Sequence, residues 1–280
     1  MSDKKPKYAV VVVHGICDKR TSQQKGFSKE LRANVFPDIC EDSPYWREAI
    51  WEKVTEAADD KMQDIVLMLV NAYNKTEYWM EAELKKRRNM FSRLWVRARW
   101  FFGVVARWLS VNKLTQTLDL LLDLPLYMGN PRGDRVREVV FEEIRKARDE
   151  TPAGVILVGH SLGSVIAYDV VRENLKSATP LPIKALVTFG SPLNWITKLR
   201  VAEGDLTGTR FPIGDVCWYN YFDPKDPVCV MEELSEEMFQ KFKENLPMPS
   251  DLYGVDAHTA YWKNPKIADT VRRLAQGEGM

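Results

Sequence analysis

The chain has 280 residues, of which 45% are hydrophobic and 28% charged, and a formal net charge of +1. That length suits one large α/β domain over 1–280 without requiring two, and the balance is enough to bury a sizeable core. A near-neutral total gives no electrostatic case for a nucleic-acid partner, and the basic start "MSDKKPK" runs into an apolar stretch too short for a secretory signal. Cys17, Cys40, Cys217 and Cys229 show neither a CxxC pair nor zinc-like spacing, which leads us to expect reduced thiols in a cytoplasmic protein that needs no metal and no cofactor.

Tyr8–Val13 is a continuous apolar run rich in valine, the pattern of a central strand covered on both faces. "HGIC" turns the chain and "FSKELRANV" is predicted helical. From Tyr45 to Val70 the pattern is ambiguous: "YWREAIW" suits strand or helix, and "DIVLMLV" suits a second buried strand. Residues 77–128 carry aromatics and leucines at helical spacing, and between Leu84 and Leu118 there are nine Lys or Arg and no acid. Asp134–Arg148 reads as a charged amphipathic helix that "TPAG" ends. Strands are then predicted at Val155–Val158, Ala185–Phe189 and Val216–Phe222, and helices at Leu162–Lys176, Leu234–Glu244 and Ile267–Gln276. Strands alternating with helices imply a mostly parallel central sheet flanked by helices, an α/β fold.

One junction in this alternation carries chemistry. "GVILVGHSLGSVIAYDVV" takes a buried strand through Gly159-His160-Ser161-Leu162-Gly163 directly into a helix. A Gly-x-Ser-x-Gly turn in that setting holds its serine exposed at the strand top, with Gly159 and Gly163 where a Cβ would collide. The helix beginning at Leu162 aims unpaired N–H groups and its positive dipole end at the reacting oxygen. The alternative is a glycine-rich turn whose serine only caps the helix.

A serine hydroxyl needs a base. Of the three histidines, His160 sits inside the turn, His14 follows the first strand in "VVHGI", and His258 lies in "DAHTAYW". In the strand–turn–helix arrangement the order is serine, acid, histidine, and of the histidines outside the turn only His258 follows Ser161. The acid is expected in a loop after a strand between them, and "VCWYNYFDPKDPVCV" offers Asp226, with Asp223 as the alternative. Each precedes a proline, which biases it toward extended backbone and holds it firmly. An oxyanion hole would combine the N–H of Leu162 with that of Ile16. His14 shapes the loop, and Gly15 lets the backbone approach the carbonyl.

With these residues the chain resembles an α/β-hydrolase of the serine esterase and lipase type. Within that superfamily it is most similar to the intracellular phospholipase A1 group carrying a DDHD domain and to related bacterial lipase-like hydrolases. "GHSLGSVIAYDVV" resembles the group's nucleophile segment, "DLPLYMGNPRGDRVREVVFEEI" the segment before it, "FDPKDPVCVMEEL" the acid loop, "VVHGI" the oxyanion strand and "HTAYW" the histidine loop. The resemblance favours Asp226 over Asp223. It implies carboxylic ester hydrolysis through an acyl-enzyme, with a small hydrophobic ester or an acyl lipid as substrate. It also implies that 77–128 is a helical cap or lid. A non-catalytic lipid-surface or protein-binding module on the same scaffold is the competing expectation.

The basic, aromatic stretch 84–118 is too often interrupted by charge to span a bilayer. Its tryptophans and arginines fit either a cap packed on the core or peripheral contact with an anionic membrane.

Overall fold

The computed structural model describes residues 5–15, 26–39, 43–51, 127, 132–151, 153–202, 211–226, 228–229, 234–239, 242–253 and 255–280. The elements in chain order are β1 (Ala9–Val13), α1 (Lys29–Val35), β2 (Trp46–Ala49), α2 (Arg132–Glu150), β3 (Val155–His160) and α3 (Leu162–Asn174). They continue with β4 (Ile183–Phe189), α4 (Leu193–Ala202), β5 (Cys217–Phe222), α5 (Glu236–Phe239), β6 (Phe242–Pro247), α6 (Val255–Thr259), a 3₁₀ turn (Ala260–Lys263) and α7 (Pro265–Ala275). Apart from Tyr127, the expected cap at 77–128 lies outside the described residues, as does the strand expected at "DIVLMLV".

Among the described residues six strands form one sheet in the order β2-β1-β3-β4-β5-β6, and every pair is parallel. Parallel neighbours need crossovers, and helices supply them on both faces. Alternate strand residues serve opposite layers. Val11, Val13, Leu157, Leu186 and Trp218 pack with α2 and α3. Val10, Val12, Ile156, Val158, Val187 and Tyr221 pack with α1 and α7. Residues of β1 and β3 have both faces covered, which is why they read as unbroken apolar runs rather than alternating ones. Helix α3 is likewise buried almost all round, from Leu162 to Val171. The expected α/β architecture, a parallel sheet flanked by helices, is therefore present and is consistent with an α/β-hydrolase-type fold.

The expected helix at Leu234–Glu244 is corrected. Among the described residues of that span Glu236–Phe239 is helical, and Phe242–Pro247 forms strand β6 at the edge of the described sheet. Its charged composition looks helical locally, but pairing with β5 supplies a ladder of hydrogen bonds that no local pattern announces. Side chains reinforce the register: Asn220 Nδ2 donates to Asn245 Oδ1 at 2.8 Å, and Tyr221 Oη donates to Glu244 at 2.9 Å. The ambiguous "YWREAIW" resolves as strand β2.

The sheet order also places the site. From β1 the chain crosses to β2 on one side and then returns to β3 on the other. The carboxyl ends of β1 and β3 therefore flank a topological switch point, where open parallel sheets leave a crevice for ligands. The loops entering that crevice begin at His14 and at Ser161.

Candidate active site

Ser161 has φ +55° and ψ −131°, and among the described residues it is the single non-glycine with positive φ. An L-residue there is strained by of order 1–3 kcal/mol and needs surrounding structure to hold it. That hold is visible. Ser161 N donates to Phe189 O at 3.1 Å, and Ser164 N donates to Ser161 O at 3.0 Å. Ser161 does not use its hydroxyl to cap α3, so the capping alternative does not describe this turn.

The flanking glycines are steric necessities. A Cβ on Gly159 would lie 2.7 Å from Gly163 O and from Ser164 Cα, and one on Gly163 would run into the carbonyl oxygens of Val13 and His14. A Cβ on Gly15 would collide with Ser161 Cβ. The loop after β1 thus presses directly on the serine. Leu162 is the first residue of α3, so its N–H has no acceptor within the helix. Ile16, the other expected oxyanion donor, lies outside the described residues. His14 is fully buried, stacked on Trp51 with ring centroids 5.0 Å apart, and its Nδ1–H donates to Gly15 O. Trp51 Nε1 in turn donates to His14 O at 3.0 Å. This stack stiffens the loop that abuts Ser161.

The structure separates the two aspartates. Asp226 Oδ2 lies 2.9 Å from His258 Nδ1, and Asp226 is buried. A carboxylate only accepts, so Nδ1 carries a proton directed at Asp226. Burial alone would raise the Asp226 carboxyl; the His258 ring and the N–H of Val228 outweigh it and hold the carboxyl below its ordinary value. Asp223 is spent on backbone donors: Oδ1 accepts from Lys225 N in its own loop at 2.8 Å and Oδ2 from Ser250 N, after β6, at 2.9 Å. Helix α7 anchors the segment bearing His258. Asn264 caps it by accepting from Lys266 N and Ile267 N, and Ile267, Val271 and Leu274 are buried beneath.

His258 reaches the serine turn through the residue next to Ser161. Its ring lies 4.6 Å from that of His160, and His160 Nε2–H donates to His258 O at 2.9 Å. Gly190, whose φ is +60°, follows Phe189 and lies where a Cβ would meet the rings of His258, His160 and Tyr261. Among the described residues no direct hydrogen bond joins Ser161 Oγ to His258. Sequence reasoning assigned no role to His160 or Tyr261, because their partners are distant in the chain. Tyr261 Oη donates to Asp226 Oδ2 at 2.8 Å.

No protein-family model matches the chain. Over 158 residues, 49% of its length, the chain is 29% identical to a probable mitochondrial phospholipase of Saccharomyces cerevisiae. The match takes in 22% of that relative, so the chain corresponds to about a fifth of it.

Among the described residues no group of three or more His, Cys, Asp or Glu is placed to hold a metal ion, and no helix is long and apolar enough to cross a membrane. The basic stretch 84–118 lies outside them.

The buried histidines make stability depend on pH. Burial lowers His14 to about 4 and, with His258 adding to it, lowers His160 to about 3. In the unfolded chain a histidine takes up its proton near pH 6.5. Between that pH and the folded values the unfolded state binds more protons, so stability falls as pH falls. Urea unfolding between pH 6.5 and 5 should show this slope, and His160→Gln should flatten it by up to about one proton.

Proposed function

We propose that the protein is a serine hydrolase that cleaves carboxylic esters of acyl lipids or other hydrophobic esters. The observation that carries this is the strained backbone of Ser161, held at the switch point of a parallel sheet, with a buried His258–Asp226 pair packed on the adjacent His160. A turn that only linked strand to helix would not sustain such a conformation in a non-glycine residue.

In this reading Ser161 Oγ attacks the ester carbonyl carbon while His258 Nε2 takes the hydroxyl proton. The carbonyl oxygen becomes an oxyanion, facing the N–H groups of Leu162 and Ile16. Asp226 stabilises the imidazolium and keeps it oriented. The intermediate collapses, the carbon–oxygen bond to the leaving group breaks, and His258 returns the proton to the departing alcohol. A water molecule then gives its proton to His258 and attacks the acyl-enzyme. Collapse of the second intermediate releases the carboxylic acid and reprotonates Ser161. Contacts between Ser161 and His258 that are loose without substrate often tighten once it binds.

Likeness to a probable phospholipase supports an acyl lipid as the substrate class. The blocks of resemblance around the nucleophile and the acid loop favour the intracellular phospholipase A1 type. The basic, aromatic stretch 84–118 suits a substrate presented at an anionic lipid surface. A fluorophosphonate probe tests the mechanism. It should label the wild-type protein on Ser161, located by peptide mass mapping, and leave Ser161→Ala unlabelled. Folded wild-type protein that takes no label would overturn the reading.

A further inference from the structure

Three donors converge on one oxygen of Asp226. His258 Nδ1 lies 2.9 Å from Oδ2, Tyr261 Oη 2.8 Å and Cys229 Sγ 3.3 Å, while Oδ1 accepts from Val228 N at 2.8 Å. The tyrosine is not an incidental neighbour. Its oxygen accepts from Asp223 N at 2.7 Å, and that bond leaves the hydroxyl proton for the carboxylate. A phenol has one proton to give, and here its direction is set by a backbone donor on the same loop as the acid. Tyr261 and His258 are three residues apart in one short segment, so a single piece of chain delivers both donors to Oδ2.

We propose that Tyr261 is a positioning residue of the acid–base couple: its hydroxyl, locked as a donor by Asp223 N–H, holds Asp226 Oδ2 toward His258 and takes a share of the carboxylate charge that would otherwise bear on the imidazole. This rests on the serine-hydrolase reading given above.

The couple is isolated enough for that share to matter. Asp226 and Cys229 face His258 and Tyr261 from the loop after β5, His160 faces them from the end of β3, and Gly190 after β4 contributes no charge. Burial keeps the His160 ring neutral, raises the Cys229 thiol well above its ordinary value, and keeps the Tyr261 phenol protonated. Asp223 spends its carboxylate on Lys225 N and Ser250 N. The charge that His258 meets from these elements is therefore that of Asp226, and Tyr261 is the neutral donor that moderates it.

Tyr261→Phe removes that donor while keeping the ring. Asp226 then attracts the imidazolium more strongly, so His258 should titrate higher by about half to one pH unit, read by ¹⁵N NMR of its imidazole. With ester substrate kcat should fall about tenfold at unchanged KM, and the acid limb of the kcat/KM profile should move up with the NMR value. A His258 titration that does not move would overturn the proposal, as would a rise in KM alone. Should the phenylalanine variant fail to fold, difluorotyrosine at position 261 keeps the shape. It is a stronger donor and should lower the His258 titration; no shift there overturns the proposal equally. The NMR titration does not need turnover. An inert wild-type protein would sink the hydrolase reading, whereas an unmoved titration would sink the role of Tyr261.

Discussion

Ser161→Ala is expected to lower kcat for an ester substrate by about 10⁴- to 10⁶-fold, with stability retained or improved. On the proposed mechanism the rate falls because the acyl-enzyme forms on the Ser161 hydroxyl. What remains is stabilisation of the carbonyl oxygen by the N–H groups around the turn, which serves a water attack only weakly. Stability should not suffer, since the hydroxyl does not cap α3 and the bonds holding residue 161 are made by its backbone. Alanine does inherit the positive φ, so the strain stays. Initial rates on a p-nitrophenyl ester series and a phospholipid series, beside urea unfolding of both proteins, check the two halves together. A variant that is folded and still turns over at a tenth of the wild-type rate would remove Ser161 from the chemistry.

The second large effect distinguishes the two aspartates. Asp226→Asn should lower kcat by about 10⁴-fold. The amide presents a donor to His258 Nδ1, drives the imidazole to the tautomer protonated on Nε2, and leaves Ser161 without a base. Asp223→Asn should behave differently. Both oxygens of Asp223 accept backbone N–H groups from Lys225 and Ser250, and the amide can replace only one of them. The expected outcome is a stability loss of about 1–3 kcal/mol with kcat within about tenfold of wild type. Measuring kcat and the urea midpoint for both variants checks this. The opposite pattern, with Asp223→Asn inactive and Asp226→Asn active, would return the acid to Asp223.

These expectations show which parts of the site are local in the chain. The serine turn was legible because every requirement lies within eighteen residues: an apolar strand, two glycines where side chains cannot fit, and a helix opening at once. His258 was proposed from count and order, and what the fold adds is its contact with Asp226. The acid was not settled from the residues alone, since Asp223 and Asp226 share the same loop and both precede proline. Their difference lies in direction, set when Asp226 N donates to Asp223 O and the loop turns back toward α6. His160 and Tyr261 could not be read at all. Their partners, His258 and Asp226, lie 98 and 35 residues away, and nothing in "GHSLG" or "HTAYW" states the distance. The edge strand β6 was misread for a similar reason: its alternation is weak, and the hydrogen bonds that make it a strand belong to β5.

By itself the amino-acid sequence determined the class of layers, the position of the central strands and the residue types on which the proposed acyl transfer rests. Burial pattern, glycine sterics and strand–helix alternation are properties of neighbours in the chain, so they survive being read along one dimension. Tertiary structure alone decided the order of the strands, and with it the switch point between β1 and β3, the contact of Asp226 rather than Asp223 with His258, and the donors gathered around Asp226 Oδ2. Those depend on which segments meet after crossing the sheet. Such meetings are set by the summed packing of the two faces rather than by any local stretch.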